Sequence, residues 1–360
     1  MAAGTTDGPT VRTSSHPTRP QSASRVRNLT TKGYVMAFIR KVGVVGLGHV
    51  GAHVAHNLLM QGLVDELYLS DINEKKLTSE YQDLNDALSY YPHNAKIVSV
   101  GDEYEKLAGC DIIVNAAGEV TASAKDRDGE LFVTTDIART FVPRIADAGF
   151  SGVWVSISNP CDVVCTEIWR LSGCDPRRVV GSGTGLDSAR LRNAIAGKVG
   201  LDQHSICAYM LGEHGFSQFA AFSGVNFGGK PLSELAVEQP ERFGFDGPEV
   251  EELARRGGYV SYAGKQCTEY AVSLAGCRLV QAVLSNEHYV TAASTLMTGE
   301  YGQSGHFASL PCVVGADGVE EVFTLDLNQR EKDSFAASCA HIQGNIDRLG
   351  DWWQAESRVK

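Results

Sequence analysis

Two short segments carry side chains that could do acid–base chemistry on a small anion: Asp187-Ser188-Ala189-Arg190 and Gly212-Glu213-His214-Gly215. The Leu and Ala spacing of Leu186 to Lys198 predicts a helix, so Asp187 and Arg190, three apart, share one face. His214 lies in a glycine-bounded segment, where backbone can approach a ligand closely. A histidine paired with a buried aspartate is held in one tautomer, with its charged form favoured. Such a ring donates a proton near neutral pH. An acid, an anion clamp and a proton donor are what a 2-oxo acid needs if its carbonyl is to accept a hydride. Taken singly, each segment is weak: a lone histidine is more often structural, and Asp-x-x-Arg is usually a surface ion pair. They gain weight from a nucleotide-binding signature upstream.

That signature is Gly46-Leu47-Gly48-His49-Val50-Gly51. It follows the apolar run Val42 to Val45 and opens a helix-like stretch, Ala52 to Met60. A lone GxGxxG means little, but a strand before it, a helix after it and an acid at the right distance make it specific. The acid is Asp71, twenty residues past Gly51, at the end of a second strand, Leu67 to Leu69. The glycines allow a tight turn, a close approach of the pyrophosphate and close helix packing. The helix N-terminus, with His49 and Val50, then faces the diphosphate with free N–H groups. Asp71 would bind the adenosine ribose and repel a 2′-phosphate, which favours NAD over NADP.

Elements to hold these residues follow in order. Asn73 to Tyr90 reads as an amphipathic helix and Lys96 to Val100 as a strand. Asp111 to Gly118 is a buried strand, and its end, Ala117 and Gly118, should touch the cofactor. Glu119 to Glu130 is polar and reads as a mobile loop. A helix, Leu131 to Ala148, and a strand, Val153 to Ile157, lead to Ser158-Asn159-Pro160. This alternation predicts an α/β fold, a Rossmann-type doubly wound parallel sheet over 36–165. An α+β substrate domain is expected over 166–350, then a C-terminal tail, 351–360. It includes a hairpin, Leu310 to Val314 and Val319 to Leu325, turning at Asp317-Gly318, and a closing helix, Ser334 to Leu349.

Composition narrows the function. The 360 residues are 43% hydrophobic, enough for a large core. A net charge of −11 disfavours nucleic acid and anionic membranes, and no apolar run reaches the ~20 residues of a membrane span. Nine cysteines without CxxC spacing indicate neither a disulfide framework nor a metal site, and a cytoplasmic protein with reduced thiols is the simplest account. Residues 1–35 are rich in Ser, Thr, Pro and Arg, with Asp7 the only acid. They are basic like a transit peptide, but a disordered extension accounts for them more simply. Met36, directly before Ala37-Phe38-Ile39-Arg40-Lys41 and the first strand, would serve as a true start.

The chain resembles the lactate/malate dehydrogenase family over nearly all of 37–350, with its nearest likeness in the L-2-hydroxyisocaproate branch. The resemblance rests on Val45 to Gly51, Ile157 to Val163, Val180 to Arg190 and Leu211 to Phe219. It implies an NAD-dependent oxidoreductase, a homodimer or homotetramer, that interconverts 2-oxo acids and L-2-hydroxy acids. It implies that His214 protonates the carbonyl as hydride arrives, that Asp187 orients the ring, and that Arg190 grips the substrate carboxylate bidentately. Asn159 would bond near the carbonyl and nicotinamide, and Thr268 would sit beside the substrate. Arg127 would be the lid arginine that polarises the carbonyl. The lid departs from the family pattern here: Ala124-Lys125-Asp126-Arg127 replaces Gly-Glu-(Thr or Ser)-Arg, and Val120-Thr121-Ala122-Ser123-Ala124 carries no cation. A second substrate carboxylate would stay unpaired, which disfavours malate. Small residues leave room for a bulky apolar side chain, as in 2-oxoisocaproate. L-Lactate dehydrogenase is the alternative; an NAD-dependent glycosidase or a noncatalytic NAD sensor leaves the His214–Asp187–Arg190 set unexplained. Deleting residues 1–35 is expected to leave activity and Tm unchanged, as a truncated protein would show.

Overall fold

The computed structural model describes Met1 and residues 38–119, 129–350 and 356–359. Most of the expected extension, and the lid stretch with Lys125 and Arg127, lie outside the described residues. Six strands run in parallel: β1 (Lys41–Val45), β2 (Glu66–Ser70), β3 (Lys96–Ser99), β4 (Ile112–Asn115), β5 (Val153–Ser156) and β6 (Val179–Gly181). Their spatial order is β3-β2-β1-β4-β5-β6. The chain leaves β1 toward one edge and returns past it to β4, which opens a crevice at the carboxyl ends of β1 and β4. The helices that follow the strands are α1 (His49–Met60), α2 (Glu74–Ala87), α3 (Gly129–Asp147), α4 (Cys161–Ser172) and α5 (Gly185–Val199).

Both faces of β1, β4, β5 and β6 are largely buried, so these strands read as near-continuous apolar runs. Val42, Val44, Ile112 and Val114 pack with Val54 and Leu58 of α1. Val45, Ile113 and Trp154 face the other way, onto Phe141 of α3 and Val164 and Ile168 of α4. Two devices in the first loop keep the crevice tight. Gly46 has φ +88, and a Cβ there would stand 2.6 Å from Ala117 Cα, across the crevice. A Cβ on Gly51 would stand 1.8 Å from the Gly46 carbonyl oxygen.

Beyond β6 come short strands β7 (Ile206–Cys207), β8 (Met210–Leu211), β9 (Phe219–Ala220), β10 (Asn226–Phe227) and β11 (Lys230–Pro231). Helices α6 (Leu232–Glu238), α7 (Pro240–Phe243), α8 (Gly247–Lys265) and α9 (Tyr270–Leu284) follow. Strands β12 (Tyr289–Thr298), β13 (Ser304–Gly315) and β14 (Gly318–Val322) precede a last helix, α10 (Gln329–Arg348). The parallel pattern runs one strand further than the expected change after Thr166, because β6 still pairs with β5. Antiparallel β12, β13 and β14 then extend the same sheet, with Ser294 opposite Gly181. The hairpin begins earlier than Leu310: Ser304 to Ser309 has few β-branched residues and gave little strand signal. Helix α10 begins five residues before Ser334, at a capping box. Asn328 Oδ1 accepts from Glu331 N–H, and Glu331 Oε2 accepts from Asn328 N–H, both at 3.0 Å.

The loop geometry sets a test. Gly51→Ala should force the β1–α1 turn open and cost about 1–3 kcal/mol. A Tm several degrees lower and weaker NADH binding are expected; an unchanged Tm would show that the loop yields freely.

Candidate active site

Asp187 sits in the first turn of α5 and is buried. Helix α5 is stitched to β8 through hydroxyls: Thr184 Oγ1 donates to the Met210 carbonyl at 2.6 Å, and Met210 N–H donates to Ser188 Oγ at 2.9 Å. The strand that leads to His214 is thereby fixed to the helix that carries Asp187. After β8, Gly212 (φ +89) bridges Ser309 of β13 through N–H···O bonds of 3.0 and 2.8 Å. The chain then turns, and Ser217 Oγ donates to Glu213 Oε2 at 2.5 Å to close the turn.

This framework brings the expected trio together. His214 Nδ1 lies 2.6 Å from Asp187 Oδ2, and Arg190 Nη1 donates to Asp187 Oδ1 at 2.9 Å. A carboxylate only accepts, so Nδ1 carries the proton and Nε2 is the nitrogen left for a ligand. The ring is 21% exposed, whereas the Asp187 side chain is 2% exposed. Burial disfavours the charged imidazole, but Asp187 beside it outweighs burial, and with Cys161 and Asp162 raises its pKa to about 9. Burial likewise works against the Asp187 carboxylate, yet His214 and Arg190 hold it below the usual range.

Four residues at the site carry little signal in the sequence. Asp162, buried in the first turn of α4, accepts from His214 N–H at 2.8 Å and from Ser294 Oγ at 2.5 Å. Burial, then Cys161, pushes its carboxyl well above the normal range. Its one sequence signal is an acid inside the otherwise apolar start of a helix. Glu130, half-buried in α3, is pushed up to about 7 by burial, with the His214 charge opposing. Gly257 and Gly258 of α8 lie against the clamp: Cβ atoms there would stand 3.2 Å from Arg190 Cδ and 3.4 Å from Arg190 Nη1 and Nη2.

The remaining expected residues fall around the crevice. Asp71 Oδ2 accepts from Leu47 N–H at 2.7 Å, so its carboxylate lies against the glycine loop. Ala117 and Gly118 follow β4, and Asn159 stands exposed after β5. Thr268 is half-buried between α8 and α9. Among the described residues, neither Asn159 nor Thr268 is hydrogen-bonded to the trio. The loop fits a dinucleotide. Gly48 caps α1 without a side-chain bond, and none of the described residues lies within 4 Å of where its Cβ would be, which leaves the helix N–H groups open to a diphosphate among the described residues.

A dinucleotide crevice beside an acid-supported imidazole and an arginine defines a nicotinamide-dependent dehydrogenase. Comparison with known proteins agrees. Residues 40–181 match the family model for the lactate/malate dehydrogenase NAD binding domain, and residues 184–351 that for its alpha/beta C-terminal domain. The chain is 39% identical to L-lactate dehydrogenase of Fusobacterium nucleatum over 86% of this chain and 96% of that one. It is 36% identical to L-lactate dehydrogenase 2 of Lactococcus lactis, over 86% and 98%. The crystal structure of minor L-lactate dehydrogenase from Enterococcus mundtii superposes with TM-score 0.81 at 33% identity, covering 87% of this chain and 99% of that one. The chain belongs to the lactate/malate dehydrogenase family. It is an NAD-dependent oxidoreductase acting on 2-hydroxy acids. These relatives bear the name lactate dehydrogenase, whereas the lid residues of the sequence favour the hydroxyisocaproate branch. No helix among the described residues is long and apolar enough to cross a membrane.

The sign of the His214 shift gives a pH signature. Carbonyl reduction needs the protonated ring, so its rate should hold through neutral pH and fall as pH rises through about 9. Hydroxy-acid oxidation needs the neutral ring and should climb over the same interval. In Asp187→Asn, burial acts without the compensating charge, so the reductive break should move to lower pH and kcat should drop roughly 10²–10⁴-fold. Profiles of kcat/KM in both directions would show this; an unmoved break would separate Asp187 from the ring's titration.

Proposed function

We propose that the chain interconverts pyruvate and L-lactate. The supporting observation is the His214–Asp187–Arg190 arrangement on a chain whose relatives are named L-lactate dehydrogenase. His214 Nε2 gives a proton to the carbonyl oxygen during reduction and takes it back during oxidation. Asp187 fixes the tautomer and keeps the ring charged beforehand. Arg190 holds the substrate carboxylate with the N–H groups turned away from Asp187. NAD supplies or accepts the hydride when bound. Gly46, Gly48, His49, Val50 and Gly51 would hold its diphosphate, Asp71 the adenosine ribose, and Ala117, Gly118 and Asn159 the nicotinamide end. Thr268 is assigned to the substrate side, and Arg127 to a closing lid. The cofactor region, 36–165, and the substrate region, 166–350, act together, with a homo-oligomer as the working unit.

One observation favours a second reading, a preference for bulkier 2-oxo acids. Two adjacent glycines inside a helix cost about 1 kcal/mol each relative to alanine. Gly257 and Gly258 sit where side chains would crowd Arg190, so what they leave is room beside the substrate clamp. The small lid residues Val120 to Ala124 point the same way. The test is kcat/KM with NADH for pyruvate, oxaloacetate, 2-oxoisocaproate and phenylpyruvate. Pyruvate leading supports the first reading and a bulky acid the second; oxaloacetate leading overturns both. If the glycines make the space, Gly258→Ala should lower kcat/KM for 2-oxoisocaproate about tenfold more than for pyruvate.

A further inference from the structure

A second cluster of ligating side chains lies beside the cofactor loop: His49, which the proposed function also sets at the cofactor diphosphate, and Cys267 and Glu269, which have no role in the chemistry above. His49 opens α1, while Cys267 and Glu269 flank Thr268 in the turn between α8 and α9. Glu269 Oε2 lies 3.5 Å from His49 Nδ1 and accepts a 3.6 Å hydrogen bond from Cys267 Sγ. Its other oxygen, Oε1, is taken by Lys265 Nζ at 2.7 Å. The imidazole nitrogen, the sulfur and the carboxylate oxygen all lie within 4.8 Å of one another. Among the described residues, no other group of His, Cys, Asp and Glu meets that spacing.

These separations have a chemical meaning. Four ligands placed tetrahedrally about 2.0–2.3 Å from a zinc ion stand about 3.3–3.8 Å apart. Two edges of the cluster, 3.5 and 3.6 Å, already match. The third closes with a rotation of the exposed His49 ring, whose side chain is 77% exposed. We propose that His49, Cys267 and Glu269 form a binding site for one borderline-soft divalent cation of the zinc class. A thiol and an imidazole argue against calcium or magnesium, which take oxygen ligands. His53 Nδ1 is 3.7 Å from the same Glu269 oxygen but is engaged with the His49 carbonyl at 2.7 Å, so water takes the fourth position. The metal must displace the thiol proton, which makes binding pH-dependent, and the Lys265 charge repels it, which keeps the affinity modest. An occupied site would tie the start of α1 to the turn that carries Thr268. It joins two segments far apart in sequence, so no spacing motif announces it.

The test uses the full chain, freed of metal by chelation, with Zn²⁺ or Co²⁺ alone and no substrate. Its outcome is therefore independent of which 2-oxo acid the enzyme prefers. One Zn²⁺ per chain by calorimetry and a thiolate-to-Co²⁺ charge-transfer band are expected. Cys267→Ser should abolish the band and weaken Zn²⁺ binding at least tenfold, while metal-free turnover stays at the wild-type level. Glu269→Gln should weaken binding similarly, and Cys207→Ser should leave it intact. Absence of the band in the wild type, or a band that survives Cys267→Ser, would overturn the proposal.

Discussion

The charge on Asp187 is the constraint around which the site is built. A carboxylate with 2% of its side chain exposed cannot stay ionised unless it is paired and hydrogen-bonded. It takes one partner on each oxygen, His214 on Oδ2 and Arg190 on Oδ1. The same two bonds aim the imidazole and hold the guanidinium. Removing either partner leaves a buried charge half satisfied, which costs about 3–5 kcal/mol. Stability and chemistry are therefore linked through one group. The His214 contribution to stability is fully present below its ordinary value of 6.5 and is lost as pH rises toward about 9. The Asp187 contribution is present above 3.8 and is lost as pH falls through its depressed value. The pair supports the fold most between these limits, while the ring stays charged further up, where carbonyl reduction needs it.

What could be read from the sequence was what lies close together in it. The glycine loop with its flanking strand and helix, Asp71 at the next strand end, and Asp187 three residues from Arg190 are local patterns with a physical reason for each residue. The alternation of apolar runs and amphipathic stretches was enough to place β1 to β5 in a parallel sheet. The pairing of His214 with Asp187 spans 27 positions and was legible only because both residue types demand a partner.

The rest was hidden because it is made by tertiary contact. Asp162 reads as a helix-start acid until the fold lays the His214 backbone and Ser294 against it. Gly257 and Gly258 look like flaws in a helix until Arg190 is seen lying on them. The Asn328–Glu331 capping box was present as a pattern, but the polar turns before Phe335 masked the start of α10. The sheet outlasted the expected change of architecture because β12 joins at β6, and strand addition so far along the chain leaves no local mark.

The segment Val180-Gly181-Ser182-Gly183-Thr184-Gly185 shows why the catalytic trio and the sheet cannot be separated. It passes through a seam between α4, β12 and β13 that has no space for a side chain at Gly181 or Gly183. A Cβ on Gly181 would stand 2.6 Å from Cys165 Sγ and 2.7 Å from Ser294 Cβ, and one on Gly183 (φ +47) 2.3 Å from Ser309 Oγ. Thr184 N–H then donates to that same Ser309 oxygen at 3.0 Å, and α5 starts one residue later. Ser309 also pairs through its backbone with Gly212, two residues before His214. Ser294 donates to Asp162, which accepts from the His214 N–H. Two serines on neighbouring antiparallel strands thus touch both the segment that launches Asp187 and the segment that carries His214. The register of β12 against β13 puts Ser294 directly opposite Ser309, so that pairing sets the spacing of acid and base. The precision of the proton-transfer pair is a property of the sheet extension and of neither loop alone.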